Sequence, residues 1–276
     1  MSGKPRIHSK IHPNRKEYDP NQDRSFDGLA QRFAKNIYGS LKGQVRQAVI
    51  DRDLQAWVLQ EETDKPLKIL DAGGGQGQMA IAMAKLGHQV VLVDLSEEML
   101  ALAEKDIAAE GLQDRIEIQH GPMQELDTWS KPEFDVILCH AVLEWLGQPW
   151  ETLDGLAAML KPKGYLSLAF YNLHALVFKN LLRGNFDKIG KQDYRGTRGS
   201  LTPNQAIAPE DVWVWQQKNQ LLCLGYSGIR VFHDYWLEQP HFQHDDKAII
   251  EQELALSTQD PYRQMGRYIH SVFQSP

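Results

Sequence analysis

Cysteine is nearly missing: Cys139 and Cys223 are the only two in 276 residues, far apart and outside any C-x-x-C spacing. That excludes a disulfide scaffold and a cysteine-based zinc site, and it predicts a protein of the reducing cytoplasm. There is no run of about 18 apolar residues, so no membrane-spanning helix is expected. The first 24 residues carry no apolar segment, so no secretory signal is expected either. Positive charge is not in excess: 30 Lys and Arg face 36 Asp and Glu, for a net charge of −6, which argues against a surface built to wrap DNA. Repeats and low-complexity tracts are also absent.

What is present is globular. Apolar residues make up 42% and charged residues 24% of the chain, the balance of a folded domain. A chain of this length buries roughly 70–75% of its unfolded surface, enough for a core without staples. Residues 1–24 hold six basic and three acidic side chains and few apolar ones, and are expected to form a flexible arm ahead of one domain spanning 25–276. Within that domain, residues 25–62 show apolar positions at helical spacing (Phe26, Leu29, Ala30, Phe33, Ile37, then Val45 and Val49), broken by Gly39 and Gly43. They predict one or two amphipathic helices.

An alternation of strands and helices follows. Strands are expected at 67–70, 89–93, 115–120, 134–139 and 165–170, with helices between them and Ser96 as an N-cap. Lys161-Pro162-Lys163-Gly164 is expected to be a turn into the fifth strand. Strand and helix in this rhythm mean a parallel sheet with helices on both faces. Residues 172–207 are expected to be an irregular insertion. Between Lys179 and Arg198 it carries six cations against two acids, a local +4 on an acidic body. A solvated loop and a polyanion-binding patch both fit that stretch. Two further strands, about 228–236 and 268–273, with a helix between them, close the chain.

The sharpest motif is Asp71-Ala72-Gly73-Gly74-Gly75-Gln76-Gly77, set between a strand and a helix. Glycines there let the backbone approach a ligand with no side chain in the way. A dinucleotide fingerprint would need a sixth-position glycine counted from Gly73, where Gln78 stands. Asp94 ends the next strand and is placed to accept both hydroxyls of a ribose. With Phe134-Asp135-Val136-Ile137-Leu138 and Leu160-Lys161-Pro162-Lys163-Gly164, these motifs resemble the class I S-adenosylmethionine-dependent methyltransferases. The resemblance implies a Rossmann-like α/β fold, seven strands with the last antiparallel, and S-adenosyl-L-methionine as cofactor. The fourth strand is followed by Cys139-His140-Ala141-Val142, not the D/N-P-P-Y/F of nucleic-acid amino-group methyltransferases. Cys139 lacks the proline context of a pyrimidine C5 nucleophile and reads as a small core residue.

Longer strings are more specific. Asn36-Ile37-Tyr38-Gly39, Lys42-Gly43-Gln44-Val45-Arg46-Gln47-Ala48, His140-Ala141-Val142-Leu143-Glu144-Trp145, Gly184-Asn185-Phe186-Asp187, Arg230-Val231-Phe232-His233-Asp234-Tyr235 and Gly266-Arg267-Tyr268-Ile269-His270 resemble the bacterial tRNA 5-carboxymethoxyuridine methyltransferases. The resemblance implies methyl transfer to the carboxylate of 5-carboxymethoxyuridine at the tRNA wobble position, giving the methyl ester. It implies that Arg46 pairs with the methionyl carboxylate of the cofactor, Gly73 and Gly74 line the turn, and Asp94 holds the ribose. It also implies that Met123 and Gln124 flank the adenine and that His140 closes the pocket near the methionine moiety.

A carboxylate is already an anion at neutral pH, so no general base and no catalytic side chain is assigned, and no metal is expected. Arg230 and Arg267 are candidates for orienting the substrate carboxylate. Tyr171 and Asn172 follow the fifth strand and are candidates for contact with the base. Lys188, Lys191, Arg195 and Arg198 are expected to grip the phosphates of a tRNA anticodon stem-loop. A methyltransferase acting on a small-molecule carboxylate or hydroxyl remains the alternative, and a cofactor-binding protein without turnover a more distant one.

Overall fold

A computed structural model describes residues 22–30, 39–59, 65–128, 134–194, 203, 205–236 and 245–276. Residues 1–21 of the expected arm lie outside the described residues. The order is α1 (Leu41–Trp57), β1 (Lys68–Ala72), α2 (Gln78–Lys85), β2 (Gln89–Asp94), α3 (Glu97–Ala109), β3 (Ile116–His120) and β4 (Phe134–His140). Then come α4 (Pro149–Ala158), β5 (Leu160–Tyr171), α5 (Leu173–Leu182), α6 (Phe186–Gly190), α7 (Pro209–Lys218), β6 (Leu222–Ile229), α8 (Asp246–Leu256) and β7 (Tyr268–Gln274).

The seven strands form one sheet in the order β3-β2-β1-β4-β5-β7-β6. β1 to β5 pair in parallel, while β7 runs antiparallel to both β5 and β6. This is the expected Rossmann-like α/β fold. Strand order reverses between β1 and β4, and a crevice opens at such a switch point over the carboxyl ends of the strands.

Alternate residues of the central strands serve two cores. Leu70, Ile137, Leu168 and Phe273 pack with Leu153 and Leu156 of α4 and with Val212 and Trp215 of α7. On the other face Ile69, Val136 and Leu138 pack with Val49 and Leu54 of α1, Met83 of α2 and Ile107 of α3. Each fully buried aliphatic or aromatic side chain contributes about 1.5–3 kcal/mol of transfer free energy.

Four sequence expectations change. Gly43 does not break a helix: α1 starts after Ser40, whose hydroxyl accepts from Gly43 N, and Gly43 is buried inside it. The stretch at 172–207 is not irregular throughout, because Asn172 caps α5 and Asn180, Ala175 and Leu176 bury its inner face. The Lys161–Gly164 turn is an irregularity within β5, where pairing jumps from Phe134–Leu160 to Val136–Tyr165.

The strand expected at 228–236 lies at Leu222–Ile229 instead. Its β-branched and aromatic residues suggested a strand, but Arg230 adopts φ 60°, which ends the ladder. The glycine-rich Leu222–Ile229 is a strand despite its low propensity. A side chain at Gly225 would meet the Trp57 ring at 2.5 Å, so the close packing of α1 requires glycine there.

Candidate active site

The turn after β1 forms the floor of the crevice. Gly73 sits at φ 70° and donates to Val93 O at 2.8 Å. A Cβ on Gly73 would lie 2.7 Å from Val142 Cγ2 and 3.1 Å from Met123 Cε. Gly74 serves the turn differently, since a Cβ there would drive into Leu92 and the Asp71 carboxylate beneath the floor. Asp71 is buried, accepts from Ala80 N at 3.1 Å, and is pushed by burial up to about 7.

Asp94, at the end of β2, accepts from Gly75 N and Ser96 N, both at 2.8 Å. Burial raises its pKa against those two hydrogen bonds. A carboxylate offers about four lone-pair sites, so two remain for a diol.

Around this floor stand Arg46 from α1, Leu95 and Met99 at the start of α3, Met123 and Gln124 after β3, and Ala141, Val142 and Trp145 after β4. The cleft runs on into a cavity of about 710 Å³ past Pro122, Met123 and Gln124. Bare backbone at the turn, a half-satisfied acid beside it and apolar Leu95, Met99 and Met123 fit an adenosine. Arg46 on the opposite wall fits an amino-acid carboxylate.

Residues 22–30 contribute a wall that helical periodicity concealed. Asp23 accepts from Gly147 N and from Gln124 Nε2, both at 2.7 Å, so the arm's expected end is held against the site. Arg24 lies over the Trp145 ring at 5.0 Å, and Phe26 meets the same ring edge-on, at 5.0 Å between centroids. Asp27 accepts from Ser96 Oγ at 2.6 Å and from Glu98 N, bracing α3. Phe26 was expected on a helix face; it lines the cleft instead.

His140 ends β4, where the cleft wall continues into Ala141 and Val142. Its Nε2 hydrogen-bonds Ser167 Oγ at 2.8 Å, its ring meets His270 edge-on, and among the described residues its Nδ1 is buried with no hydrogen-bond partner. Burial, with His270 and Arg46 nearby, holds its pKa well below the ordinary value, so the ring is neutral. Asn172 is withdrawn from the cleft. It is wholly buried, with Oδ1 accepting from His174 N and Nδ2 donating to Gln264 O and Gly266 O.

Tyr171 is buried and its hydroxyl accepts from Arg267 Nη2. Arg230 and Arg267 do come together, both beside Asp234. Lys188 and Lys191 are exposed in and just after α6, whereas Arg195 and Arg198 lie outside the described residues. Cys139 is buried and burial pushes its thiol far up, so it is no nucleophile.

The switch-point crevice, the glycine floor and the paired acids at the ends of β1 and β2 define a class I methyltransferase. A family model described as a methyltransferase domain matches residues 70–168. The structure is similar to magnesium protoporphyrin IX methyltransferase from Synechocystis with bound S-adenosylhomocysteine (TM-score 0.59, 16% identity, 91% of this chain and 96% of that one). It is also similar to a [4+2]-cyclase (TM-score 0.56, 15% identity, 92% and 97% covered), so fold alone does not name the reaction. The sequence is 42% identical over 256 residues to the tRNA 5-carboxymethoxyuridine methyltransferase of Escherichia coli K12, covering 92% of this chain and 97% of the relative. The chain belongs to the family of tRNA 5-carboxymethoxyuridine methyltransferases.

Proposed function

We propose that the enzyme transfers a methyl group from S-adenosylmethionine to the carboxylate of 5-carboxymethoxyuridine at the tRNA wobble position. The observation that carries this reading is a cleft in which bare backbone at Gly73 and the half-satisfied Asp94 face Arg46 of α1, with Arg230 and Arg267 gathered beside Asp234. The 42% identity to a relative of that name supports it along nearly the whole chain.

When bound, the cofactor would supply an electrophilic sulfonium methyl to a carboxylate oxygen, its sulfur keeping the electron pair of the bond that breaks. No proton moves, so no general base is required. Opposite charges vanish in the transition state, which favours a dry, positioned encounter. Asp94 would hold the ribose and Arg46 the methionyl carboxylate. Met123 would lie against the adenine, with Gln124 fixed between Asp23 and Thr152. Gly73 keeps the floor open. Lys188 and Lys191, on the exposed α6 side, would meet phosphates flanking a splayed anticodon base, with Arg195 and Arg198 continuing that stretch in sequence.

The test is mass spectrometry of nucleosides from tRNA carrying 5-carboxymethoxyuridine, after incubation with the enzyme and S-adenosylmethionine. A gain of one methyl that mild alkali removes is the expected result. No gain from an enzyme that binds the cofactor would overturn the tRNA substrate and turn attention to small carboxylates.

A further inference from the structure

His140, Ala169, His270 and Ser227 stand in one row across β4, β5, β7 and β6. Side chains in register across a sheet share a face, and α1 covers this one. Ala169, inside the row, is fully buried and carries only a methyl group. The two imidazoles therefore close over it, edge to face at 5.6 Å between centroids, although a whole strand separates their backbones. Ser167, two residues earlier on β5 and so on the same face, puts its hydroxyl between them, 2.8 Å from each Nε2.

One hydroxyl proton cannot serve both rings. Ser167 Oγ donates to one Nε2 and accepts from the other, and Asp53 decides which. Asp53 Oδ2 lies 2.7 Å from His270 Nδ1, and an ionised carboxylate only accepts, so His270 Nδ1 carries the proton. Asp53 Oδ1 accepts from Arg52 Nε, Arg52 Nη2 and Ser227 Oγ, at 3.0, 2.6 and 3.1 Å. Arg52 thus meets the Asp53 charge, and a second proton on the wholly buried His270 would add a cation with no anion of its own. His270 Nε2 is then the acceptor for the serine proton, and Ser167 Oγ accepts from His140 Nε2–H. Burial, with His270 and Arg46 nearby, keeps His140 at a single ring proton. Its Nδ1 is left as a bare lone pair, and among the described residues that atom is buried without a partner.

The unmatched acceptor sits where the sheet opens. His140 is the last residue of β4, and Ala141 turns the chain out of the sheet at φ 61°, a conformation unfavourable for alanine. Ala141 and Val142 line the cleft that Arg46 also lines. An amino-acid head carries its ammonium on the same carbon as its carboxylate. If Arg46 takes the carboxylate, an accepting nitrogen nearby suits the ammonium, whereas a donating N–H would repel it.

We propose that Asp53, His270 and Ser167 are positioning residues, which pass one hydrogen-bond direction from α1 across the sheet and hold His140 as the tautomer whose Nδ1 accepts from the ammonium of the cofactor's methionyl group. Asp53 thereby sets the polarity of an atom it does not touch. The assignment rests on S-adenosylmethionine as the cofactor and is independent of which substrate is methylated.

The first test is ¹H–¹⁵N NMR of the histidine rings in the ligand-free wild type, with His140→Gln and His270→Gln used for assignment. His140 is expected with its proton on Nε2, and His270 with its proton on Nδ1. A proton on His140 Nδ1 would overturn the proposal.

The second test is Asp53→Asn. The three donors around Oδ1 keep the amide oxygen there, so the amide nitrogen takes the Oδ2 position and donates to His270 Nδ1. Every hydrogen bond along the line then reverses, and His140 presents Nδ1–H. Calorimetric titration compares S-adenosylhomocysteine with its desamino analogue, which keeps the carboxylate and lacks the amine. The wild type should prefer S-adenosylhomocysteine about tenfold or more. Asp53→Asn should show the reversed tautomer and lose that preference while still binding the desamino analogue. Should Asp53→Asn not fold, Ser167→Ala cuts the line at its middle and should likewise erase the preference. Equal weakening toward both ligands would show a merely structural role and overturn the proposal, as would an unchanged preference. A wild type that binds neither ligand would overturn the cofactor reading and this assignment with it, whereas a reversed tautomer in protein that binds both would overturn this assignment alone.

Discussion

His270 Nδ1 on β7 lies 2.7 Å from Asp53 Oδ2 on α1, with both side chains at most 1% exposed. The chain of contacts continues from His270 Nε2 to Ser167 Oγ and on to His140 Nε2, each step 2.8 Å. On its other side Asp53 Oδ1 accepts from Arg52 Nη2 at 2.6 Å and from Ser227 Oγ at 3.1 Å. This buried line ties α1, which carries Arg46 and Lys42, to the strands whose ends form the cleft.

Replacing Asp53 by Ala should therefore cost about 3–5 kcal/mol of stability, because it leaves His270 and the partly buried Arg52 without their shared carboxylate. Urea unfolding measures it. A loss below about 1 kcal/mol would show that the network contributes little to holding α1 in place.

Two buried acids set a pH dependence. Burial pushes Glu144 up to about 8 and Asp71 up to about 7. Both are raised above their unfolded values, so the folded state keeps protons that the unfolded chain has released. Their stabilising contribution is complete below about pH 4 and is lost as pH rises through 7 to 8. Stability of the ligand-free enzyme should fall from pH 5 to 8 by up to about 1.4 kcal/mol per pH unit for each group. Glu144→Gln should remove part of that slope. An unaltered slope in the variant would exclude Glu144 as its source.

Gly73→Ala should weaken S-adenosylhomocysteine binding at least about tenfold while leaving the sheet intact. The added methyl meets Val142 at 2.7 Å and also forces an unfavourable φ of 70°. Calorimetric titration provides the readout, and near-normal affinity would mean that the floor can shift without cost.

The glycine floor of the cleft and the acid beside it were legible in the sequence because each is set by a short stretch of chain. Gly73, Gly74 and Asp94 act through local geometry at strand ends, where spacing along the chain equals position in space. Asn172 reads as a site residue because it follows a strand, yet its side chain turns inward to satisfy buried polar partners. That choice depends on Gln264 and Gly266, which no local pattern connects to it. Phe26 matched a helical stripe, but its partner is Trp145, some 120 residues away.

The alternation of strands and helices, the glycine turn and the two strand-end acids determine the sheet and the place of its crevice from sequence alone, since each is a short-range consequence of periodicity and backbone freedom. Only the tertiary structure decided which cations meet. Lys42, Lys179, Arg230 and Arg267 come from four separate stretches of the chain. Their convergence on Asp234 follows from β7 running antiparallel beside β5 and from α1 packing across the β6 edge. Charge clusters of this kind arise from long-range packing, which holds them together despite their mutual repulsion.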